Sequence, residues 1–178
     1  MNFSNLFRLG ENLTLDRKTL SNLRWIAIIG QFTAINLVYF YFNLELPIKI
    51  TFLIILFGSL TNLYLQFRVK ATQLKDLYAA FFLLYDLIQL TGLLYLTGGI
   101  ANPFTILIII PTIISSTFLS KGTTIILGIF TTIFLFLLTI FHYPLPGIHE
   151  GSITFPKLYL AGYFISIIIG LTFLSYFG

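Results

Sequence analysis

Long runs of apolar residues, separated by short polar stretches, make up most of this 178-residue chain. Six such runs lie at 20–42, 47–67, 77–97, 103–119, 123–142 and 157–177. A transmembrane helix needs about 20 apolar residues, so five runs have the required length and the fourth, at about 17, is short. Within lipid, only α-helices and closed β-barrels satisfy all backbone hydrogen bonds. Because the runs lack the alternating apolar and polar residues of barrel strands, we predict that they are helices. The pattern predicts an all-α fold, a polytopic membrane bundle of six transmembrane helices over residues 20–178.

The composition agrees with a membrane protein and excludes an ordinary soluble domain. Hydrophobic residues make up 57% of the chain and charged residues 9%, whereas soluble domains carry about 25% charged residues. The sequence has no cysteine, which excludes disulfides and thiolate metal sites within it. The net charge of +4 is small, and we interpret it as a topology signal rather than as a sign of nucleic-acid binding.

The first 19 residues are polar and mixed in charge, and we predict that they form a separate N-terminal segment. Phe3, Leu6, Phe7 and Leu13 fall near helical spacing, which allows a short interfacial helix. The segment lacks the apolar core and the clear cleavage site of a secretory signal peptide.

Basic residues are distributed unevenly between the two sides of the predicted membrane. The N-terminal segment, the second and fourth loops and their edges hold eight: Arg8, Arg17, Lys18, Arg24, Arg68, Lys70, Lys75 and Lys121. The other loops and their edges hold two, Lys49 and Lys157. The positive-inside rule therefore predicts that both termini are cytoplasmic and that residues 98–104 lie on the outer side.

An uncharged heptapeptide, Gly-Gly-Ile-Ala-Asn-Pro-Phe, joins the third and fourth runs. Gly98 and Gly99 suit positive φ at a helix end, and Asn102 is a good N-cap for a helix whose first residue is Pro103. These features by themselves describe a tight connection between two helices. The same turn also sets a helix N-terminus and the Phe104 ring at the bilayer edge, where they suit a lipid-soluble carbonyl compound such as a quinone. The residues alone leave both interpretations open.

The stretch from Leu94 to Phe104 resembles the GGxxNPF heptapeptide of the RegB/PrrB family of redox-sensing histidine kinases. Two further segments are similar to the family pattern: Leu-Arg-Trp at 23–25 with Gly-Gln at 30–31, and Asp-Leu-Ile-Gln-Leu at 86–90. The resemblance covers essentially the whole chain, as the transmembrane sensor domain of that family.

The resemblance implies a ligand and the residues that bind it. In that family the heptapeptide is implicated in sensing the ubiquinone pool, so ubiquinone or a related quinone is the implied ligand. Gly98, Gly99, Asn102, Pro103 and Phe104 become the candidate quinone-binding residues. Among them we expect Asn102 to contact a quinone carbonyl and Phe104 to contact the quinone ring.

The catalytic motifs of a histidine kinase are missing from these 178 residues. We find no phosphoacceptor-histidine motif, no ATP-binding motif and no redox cysteine. We therefore expect a sensor domain without catalytic residues, whose natural protein continues into a cytoplasmic kinase after the sixth helix. The resemblance further implies a multi-pass protein of the bacterial inner membrane, two-component signal transduction, a homodimer in the full-length form and a response regulator as partner.

Asp86 lies near the middle of the third predicted helix, where an acid costs roughly 2.5–3.5 kcal/mol to insert. We expect it to face the bundle interior, on the same helix face as Gln89 and Thr97. It is either a coupling or proton partner for quinone chemistry, together with Gln89, or a protonated or amide-paired packing residue. Asp86 lies about 16 Å along the helix from Thr97, so we expect no direct contact with a head group at Asn102. Thr97 and Tyr95 are closer secondary candidates.

Four further residues receive simpler interpretations. Arg24 and Trp25 fall at the predicted inner boundary, where we interpret them as interfacial anchors. His142 and His149 lie on the same side as the heptapeptide, and their spacing forms no recognisable metal motif. We interpret both as interfacial histidines, with donation to a quinone carbonyl as the alternative.

Two other classes of function stay open from the sequence. A small membrane transporter or channel without kinase function would need a polar pathway, and the chain offers Asp86 as its one clear mid-membrane acid and no internal repeat. A membrane-embedded enzyme would need His, Asp or Glu side chains clustered at one depth, and here they are scattered along the chain.

Overall fold

The computed structural model describes residues 14–41 and 43–144, and these residues are almost entirely helical. The helices and strands are β1 Leu15–Asp16, α1 Arg17–Asn36, α2 Ile48–Arg68, β2 Gln73–Leu74, α3 Asp76–Leu96, α4 Ile110–Phe118 and α5 Lys121–Ile140. A π-helical turn, Leu37–Tyr41, continues α1, and two 3-10 segments, Gly99–Ala101 and Pro103–Ile109, lie between α3 and α4. The prediction of an all-α fold is confirmed for this part of the chain, apart from a two-residue strand pair.

Four helices in the described residues are long and apolar enough to cross a membrane: Arg17–Tyr41, Ile48–Arg68, Asp76–Leu96 and Lys121–Ile140. The shorter apolar helix Pro103–Phe118 corresponds to the fourth predicted run, and we call it the fourth helical segment. The sixth predicted run, 157–177, and most of the predicted N-terminal segment lie outside the described residues. Six spans therefore stay a prediction.

Caps set the helix starts, so the helices begin a few residues away from the edges of the apolar runs. Asp16 caps α1, since its carboxylate accepts hydrogen bonds from the backbone N–H groups of Lys18 at 3.0 Å and Thr19 at 3.2 Å. As a result, α1 begins at Arg17, three residues before the apolar run. Ser120 caps α5 in the same way by accepting from the N–H of Thr123.

A short antiparallel pair, which the sequence pattern did not predict, fixes the starts of α1 and α3 side by side. Leu15 pairs with Leu74, and Asp16 pairs with Gln73. We call this end of the bundle, where α1 and α3 begin and α2 ends, the basic end. The Arg17 side chain donates to two backbone carbonyls near the end of α2, so it also joins α1 to α2 there.

The starts of α3 and α5 are joined by the carboxylate of Asp76. It accepts from the backbone N–H of Ser120 at 2.8 Å, from the Ser120 hydroxyl at 3.0 Å and from the Thr123 hydroxyl. Because Asp76 lies in the first turn of α3, its negative charge also interacts favourably with the positive, N-terminal end of the helix dipole. The basic end is therefore held together by charge-assisted hydrogen bonds.

Helix α3 is central in the described bundle, since it packs against α2, α4 and α5, whereas α1 packs mainly against α2. Three buried apolar clusters hold these contacts; they include Leu83 at the basic end, Leu87 near the middle and Leu93 beside α1 and α2. Between α4 and α5, paired hydroxyls allow close approach: Thr112 to Thr131 at 3.0 Å and Ser115 to Thr124 at 2.9 Å.

Proline shapes the fourth helical segment. Pro103 is its first residue, where the missing N–H costs nothing. The segment runs as a 3-10 helix to Ile109 and changes to an α-helix at Ile110, one residue before Pro111. Pro111 lies in the first turn of the α-helical part, where its missing N–H costs little, and proline crowds the turn before it.

Candidate functional site

The heptapeptide turn has the left-handed backbone that its two glycines suggested. Gly98 has φ of 109° and Gly99 has φ of 57°, and Gly98 ends α3 before the 3-10 turn Gly99–Ala101. Both conformations are costly for residues with a Cβ, so glycine is what allows the chain to reverse here. The hydroxyl of Thr105 donates to the Gly99 carbonyl at 2.7 Å and holds the turn from the following segment.

The side-chain amide of Asn102 is fully engaged within the turn. Its oxygen accepts from the N–H of Phe104 at 2.8 Å, which makes it the predicted N-cap of the fourth helical segment. Its nitrogen donates to the Thr97 carbonyl at 3.0 Å and to the Thr97 hydroxyl at 2.7 Å. Both amide N–H groups are thus used, and a donation from Asn102 to a quinone carbonyl would require one of these bonds to break.

The aromatic ring of the heptapeptide is accessible, unlike its amide. Phe104 is 46% exposed, whereas Asn102 is 9% exposed. The Thr97 hydroxyl, a secondary candidate, donates to the Leu93 carbonyl at 2.8 Å and accepts from Asn102. Among the side chains of Thr97, Asn102 and Phe104, therefore, the group that remains available to a ligand is a ring rather than a hydrogen-bond donor.

His142 packs directly on the turn. A Cβ added to Gly99 would overlap the His142 ring, so the histidine lies against the glycine backbone. The next residue, Tyr143, donates its backbone N–H to the Tyr95 carbonyl at 2.8 Å, and the two tyrosine rings meet edge to face at 5.6 Å. His142 therefore helps to hold the turn, while His149 lies outside the described residues.

A cavity of about 460 Å³ lies between α1, α3 and the fourth helical segment. Most of its wall is apolar, with leucine and isoleucine side chains from all three elements. Six residues contribute polar groups to its lining: Arg24 and Gln31 from α1, Asp86 and Gln89 from α3, and Thr97 and Asn102 from the turn. Phe104 also lines it. A mostly apolar cavity of this size with a few polar groups is typical of a small-molecule site.

Arg24 forms a buried ion pair with Asp86, which corrects its interpretation as an interfacial anchor. Its Nε lies 2.8 Å from one carboxylate oxygen of Asp86 and 3.1 Å from the other. Arg24 is 3% exposed, so its charge does not reach the membrane surface in this structure. The reason is that Asp86 faces the interior at the same depth, and each charge lowers the cost of burying the other. Asp86 is therefore ion-paired rather than amide-paired.

The rest of the Arg24 guanidinium is enclosed by α2 and α3. Its Nη2 donates to the Thr61 hydroxyl at 2.8 Å, and the Phe82 and Tyr85 rings lie 5.2 Å and 5.6 Å from its central carbon. Its Nη1 is buried without a hydrogen-bond partner among residues 14–41 and 43–144. The ion pair thus links three helices at one level of the bundle.

A second polar link between α1 and α3 was not foreseen from the sequence. Gln89 donates from Nε2 to Oε1 of Gln31 at 2.9 Å. Gly58 of α2 lies so close that a Cβ there would overlap the Gln89 amide. A signal existed in the sequence: Arg24 and Gln31 are seven residues apart, so they share one face of α1 just as Asp86 and Gln89 share one face of α3.

The structure brings some predicted site residues together and separates others. Asn102, Phe104 and Thr97 line the turn end of the cavity, and Asp86 and Gln89 line its other part. Gly98, Gly99 and Pro103 shape the turn without lining the cavity. In the described part of the chain, no group of three or more His, Cys, Asp or Glu side chains is arranged to hold a metal ion.

Comparison with known proteins finds a similar sensor kinase. The chain is 36% identical over 159 residues to the sensor histidine kinase RegB of Cereibacter sphaeroides, a match that covers 89% of this chain. The chain is thereby supported as a RegB-family sensor fragment. It spans about a third (34%) of that relative's length. No family model matches the chain, and no solved structure matches it significantly.

The similarity to RegB gives the cavity a context. The match covers most of this chain, including most of its apolar helices, and supports a membrane sensor domain of a histidine kinase. The family resemblance pointed to the heptapeptide, and in this structure the heptapeptide closes one end of a cavity between helices. The unit to be considered as a site is therefore the cavity with its turn, rather than the turn alone.

Proposed function

We propose that this chain is the transmembrane redox-sensor domain of a two-component histidine kinase and that it binds ubiquinone in the cavity between α1, α3 and the fourth helical segment. The observation that carries the proposal is the position of Phe104 and Asn102, two heptapeptide residues, in the lining of that cavity. The family resemblance suggests the identity of the ligand, and the cavity beside the heptapeptide is large enough to hold its head group.

The shape and chemistry of the cavity suit a quinone. An elongated, mostly apolar molecule with two polar oxygens matches walls of leucine and isoleucine that carry a few amide and hydroxyl groups. The exposed part of the Phe104 ring is able to stack on a flat quinone ring. Gly98, Gly99 and Pro103 fix the turn that holds Phe104 there, and Thr97 and Asn102 lock it by hydrogen bonds.

The proposed orientation follows the basic residues. Lys and Arg lie mainly at the basic end, so both termini are proposed to be cytoplasmic and the turn to face outward. In a bacterium this corresponds to the inner membrane, with six spans when the run at 157–177 is included. Ubiquinone in the bilayer would then have direct access to the cavity from the lipid phase.

Signalling requires that the two redox forms bind unequally. A quinone offers carbonyl acceptors and its reduced form offers hydroxyl donors, so polar groups in the cavity are able to distinguish them. The form that binds one helix arrangement better shifts the bundle toward it, and the difference in affinity sets the size of the signal. The last helix is proposed to pass this change to a dimeric cytoplasmic kinase and its response regulator.

The structure favours this proposal over a transporter or channel. A conducting path needs polar groups that are free to contact a solute, whereas Asp86, the mid-membrane acid, is paired with Arg24. The cavity wall is also mainly apolar, which suits a lipid-soluble ligand better than an ion or a hydrophilic solute.

Replacing Phe104 by alanine should weaken quinone binding. The change removes the ring proposed to stack on the ligand and leaves the caps of the turn intact, so we expect an affinity loss of at least about threefold. The measurement is calorimetric titration of the 178-residue chain in nanodiscs with decylubiquinone.

The matched control is Phe141→Ala, because Phe141 is exposed near the same end of the bundle and does not line the cavity. It should bind decylubiquinone as the unchanged chain does. Equal losses in both variants, or no saturable binding to the unchanged chain, would remove the support for a quinone site at this cavity.

A further inference from the structure

Resting on the proposed quinone-binding function, we infer that the amide pair Gln31–Gln89, rather than Asn102, makes the polar contact with the ligand head group. The inference assigns Gln31 to the site for the first time and gives Gln89 a direct role in it. It also locates the head group deeper in the cavity than the heptapeptide turn.

The hydrogen-bond inventory of the cavity carries this assignment. Both amide N–H groups of Asn102 donate to Thr97, one to its carbonyl and one to its hydroxyl, and the Thr97 hydroxyl in turn donates to the carbonyl of Leu93. The turn end of the cavity therefore offers no amide or hydroxyl donor from these two side chains. A quinone carbonyl accepts hydrogen bonds and cannot donate them, so it needs a donor elsewhere in the lining.

Two donors in the lining have no partner within residues 14–41 and 43–144: Nη1 of Arg24 and the NH₂ group of Gln31. Nη1 of Arg24 is itself buried, so we assign the contact to the amide pair. A single bond, from Gln89 Nε2 to Gln31 Oε1 at 2.9 Å, joins the two side chains. Within residues 14–41 and 43–144, the NH₂ group of Gln31 and the oxygen of Gln89 take part in no other hydrogen bond. Both residues line the cavity, and in these residues the pair has one donor group and one acceptor without a partner, with the Gln89 amide lying against Gly58.

The free donor and acceptor suit the two redox forms of the ligand. The NH₂ group of Gln31 is able to donate to a quinone carbonyl, and the oxygen of Gln89 is able to accept from a hydroxyl of the reduced form. Gln89 is only 7% exposed and is pressed against Gly58, so its position is well defined. The pair also joins α1 to α3, and a ligand that changes its bonding acts on the spacing of these two helices.

The distances along α3 are consistent with one molecule that reaches both regions. Gln89 precedes Thr97 by eight residues, or about 12 Å at 1.5 Å per residue. A head group at the amide pair revises the proposed stacking of Phe104 on the quinone ring, because the turn end then receives the apolar remainder of the molecule. Phe104→Ala should still weaken binding, since Phe104 would then contact the apolar chain. Direct contact of one head group with both Gln89 and Asn102 is not required by this arrangement.

A double variant, Gln31→Met with Gln89→Met, tests the inference without leaving one amide buried and unpaired. Methionine has a similar length and no amide, and replacing both partners of a hydrogen bond by apolar groups is nearly neutral for folding. We expect the affinity for decylubiquinone in nanodiscs to fall about three- to tenfold, because the hydrogen bond from the Gln31 NH₂ group to the quinone carbonyl is lost. The control is Gln73→Met, at an exposed position in β2, with affinity within about twofold of the unchanged chain.

A second measurement needs no variant in the cavity. The chain has four glutamines, Gln31, Gln66, Gln73 and Gln89, so glutamine-selective ¹⁵N labelling gives four side-chain amide signals. Decylubiquinone should shift the signals of Gln31 and Gln89 and leave those of Gln66 and Gln73 in place. The same signals are then compared in nanodiscs of ester-linked lipid, which has carbonyl groups, and of ether-linked lipid, which has none. A difference between the two would show that a lipid carbonyl binds where the quinone carbonyl is proposed to bind.

The outcomes separate this inference from the function on which it rests. Saturable binding that is weakened in the double variant, with shifts at Gln31 and Gln89, supports it. Saturable binding that is unchanged in the double variant, or amide shifts that follow the lipid linkage and not the quinone, overturns it and leaves the proposed function intact. Absence of saturable quinone binding to the unchanged chain overturns both.

Discussion

Asp86→Ala should lower the free energy of unfolding by about 3–5 kcal/mol, the typical cost of removing one partner of a buried ion pair. The variant leaves Arg24 at 3% exposure without the carboxylate that now lies 2.8 Å from its Nε. Thr61 and the two rings over the guanidinium offer weaker compensation than a full negative charge. The bundle must then either bury an uncompensated charge or move α1 so that the arginine reaches the membrane surface.

A double variant makes this expectation specific to the ion pair. Arg24→Met combined with Asp86→Leu removes both charges and fills similar space, so it should recover most of the stability lost by Asp86→Ala. Unfolding is followed by circular dichroism in mixed micelles as denaturant is added, for the unchanged chain and both variants. A loss below about 1 kcal/mol in Asp86→Ala would mean that the two charges do not depend on each other.

Gly99→Ala should be the most damaging single change in the heptapeptide turn. The left-handed φ of 57° costs a residue with a Cβ roughly 1–2 kcal/mol, and the clash with the His142 ring adds an overpacking cost of about 1–3 kcal/mol. We therefore expect the unfolding free energy, measured in the same way, to fall by about 2–5 kcal/mol, because the two costs act at one position and add.

Two comparisons separate the causes of that loss. Adding His142→Gly to Gly99→Ala, which removes both the ring and the Cβ of His142, should return the part due to the clash and leave the part due to backbone strain. Gly30→Ala is the matched control, since Gly30 lies in α1 with nothing within 4 Å of an added Cβ, and alanine there should be neutral or slightly stabilising. If Gly99→Ala and Gly30→Ala behaved alike, the described geometry of the turn would be wrong.

The helices of this chain could be predicted from the sequence because the rules that govern them are local. Apolar run length gave the spans at 47–67 and 77–97 to within one residue of α2 and α3. The predicted helix starts were less accurate, because a cap such as Asp16 begins α1 several residues before its apolar run. The pairing of Leu15 with Leu74 could not be predicted, because two residues per strand give no periodic pattern.

The site was predictable where backbone conformation is encoded in residue type, as in the heptapeptide. Gly98 and Gly99 have the positive φ that glycine permits, and Asn102 caps the helix that begins at Pro103. The ion pair was missed because Arg24 and Asp86 are 62 residues apart, and one sequence does not show which helices are neighbours. Arg24 near a helix end resembles an anchor until its partner on α3 is known.

The polar links between α1 and α3 give the proposed sensor a physical basis. The ion pair and the Gln31–Gln89 amide pair connect the two helices across the same gap that contains the cavity. A ligand in that gap is able to hydrogen-bond to the amide pair while the ion pair holds the helices together. Binding at the cavity would then alter the relation of α1 to α3 without unfolding the bundle.

A quinone site between α1, α3 and the fourth helical segment can be located by photoaffinity mapping of the 178-residue chain in nanodiscs, with an azido-ubiquinone analogue and mass spectrometry. We expect labels on α1, α3 and residues 102–114, and excess decylubiquinone should remove them. Labels confined to α2 and α5, or labels that decylubiquinone does not remove, would contradict a quinone site in this cavity.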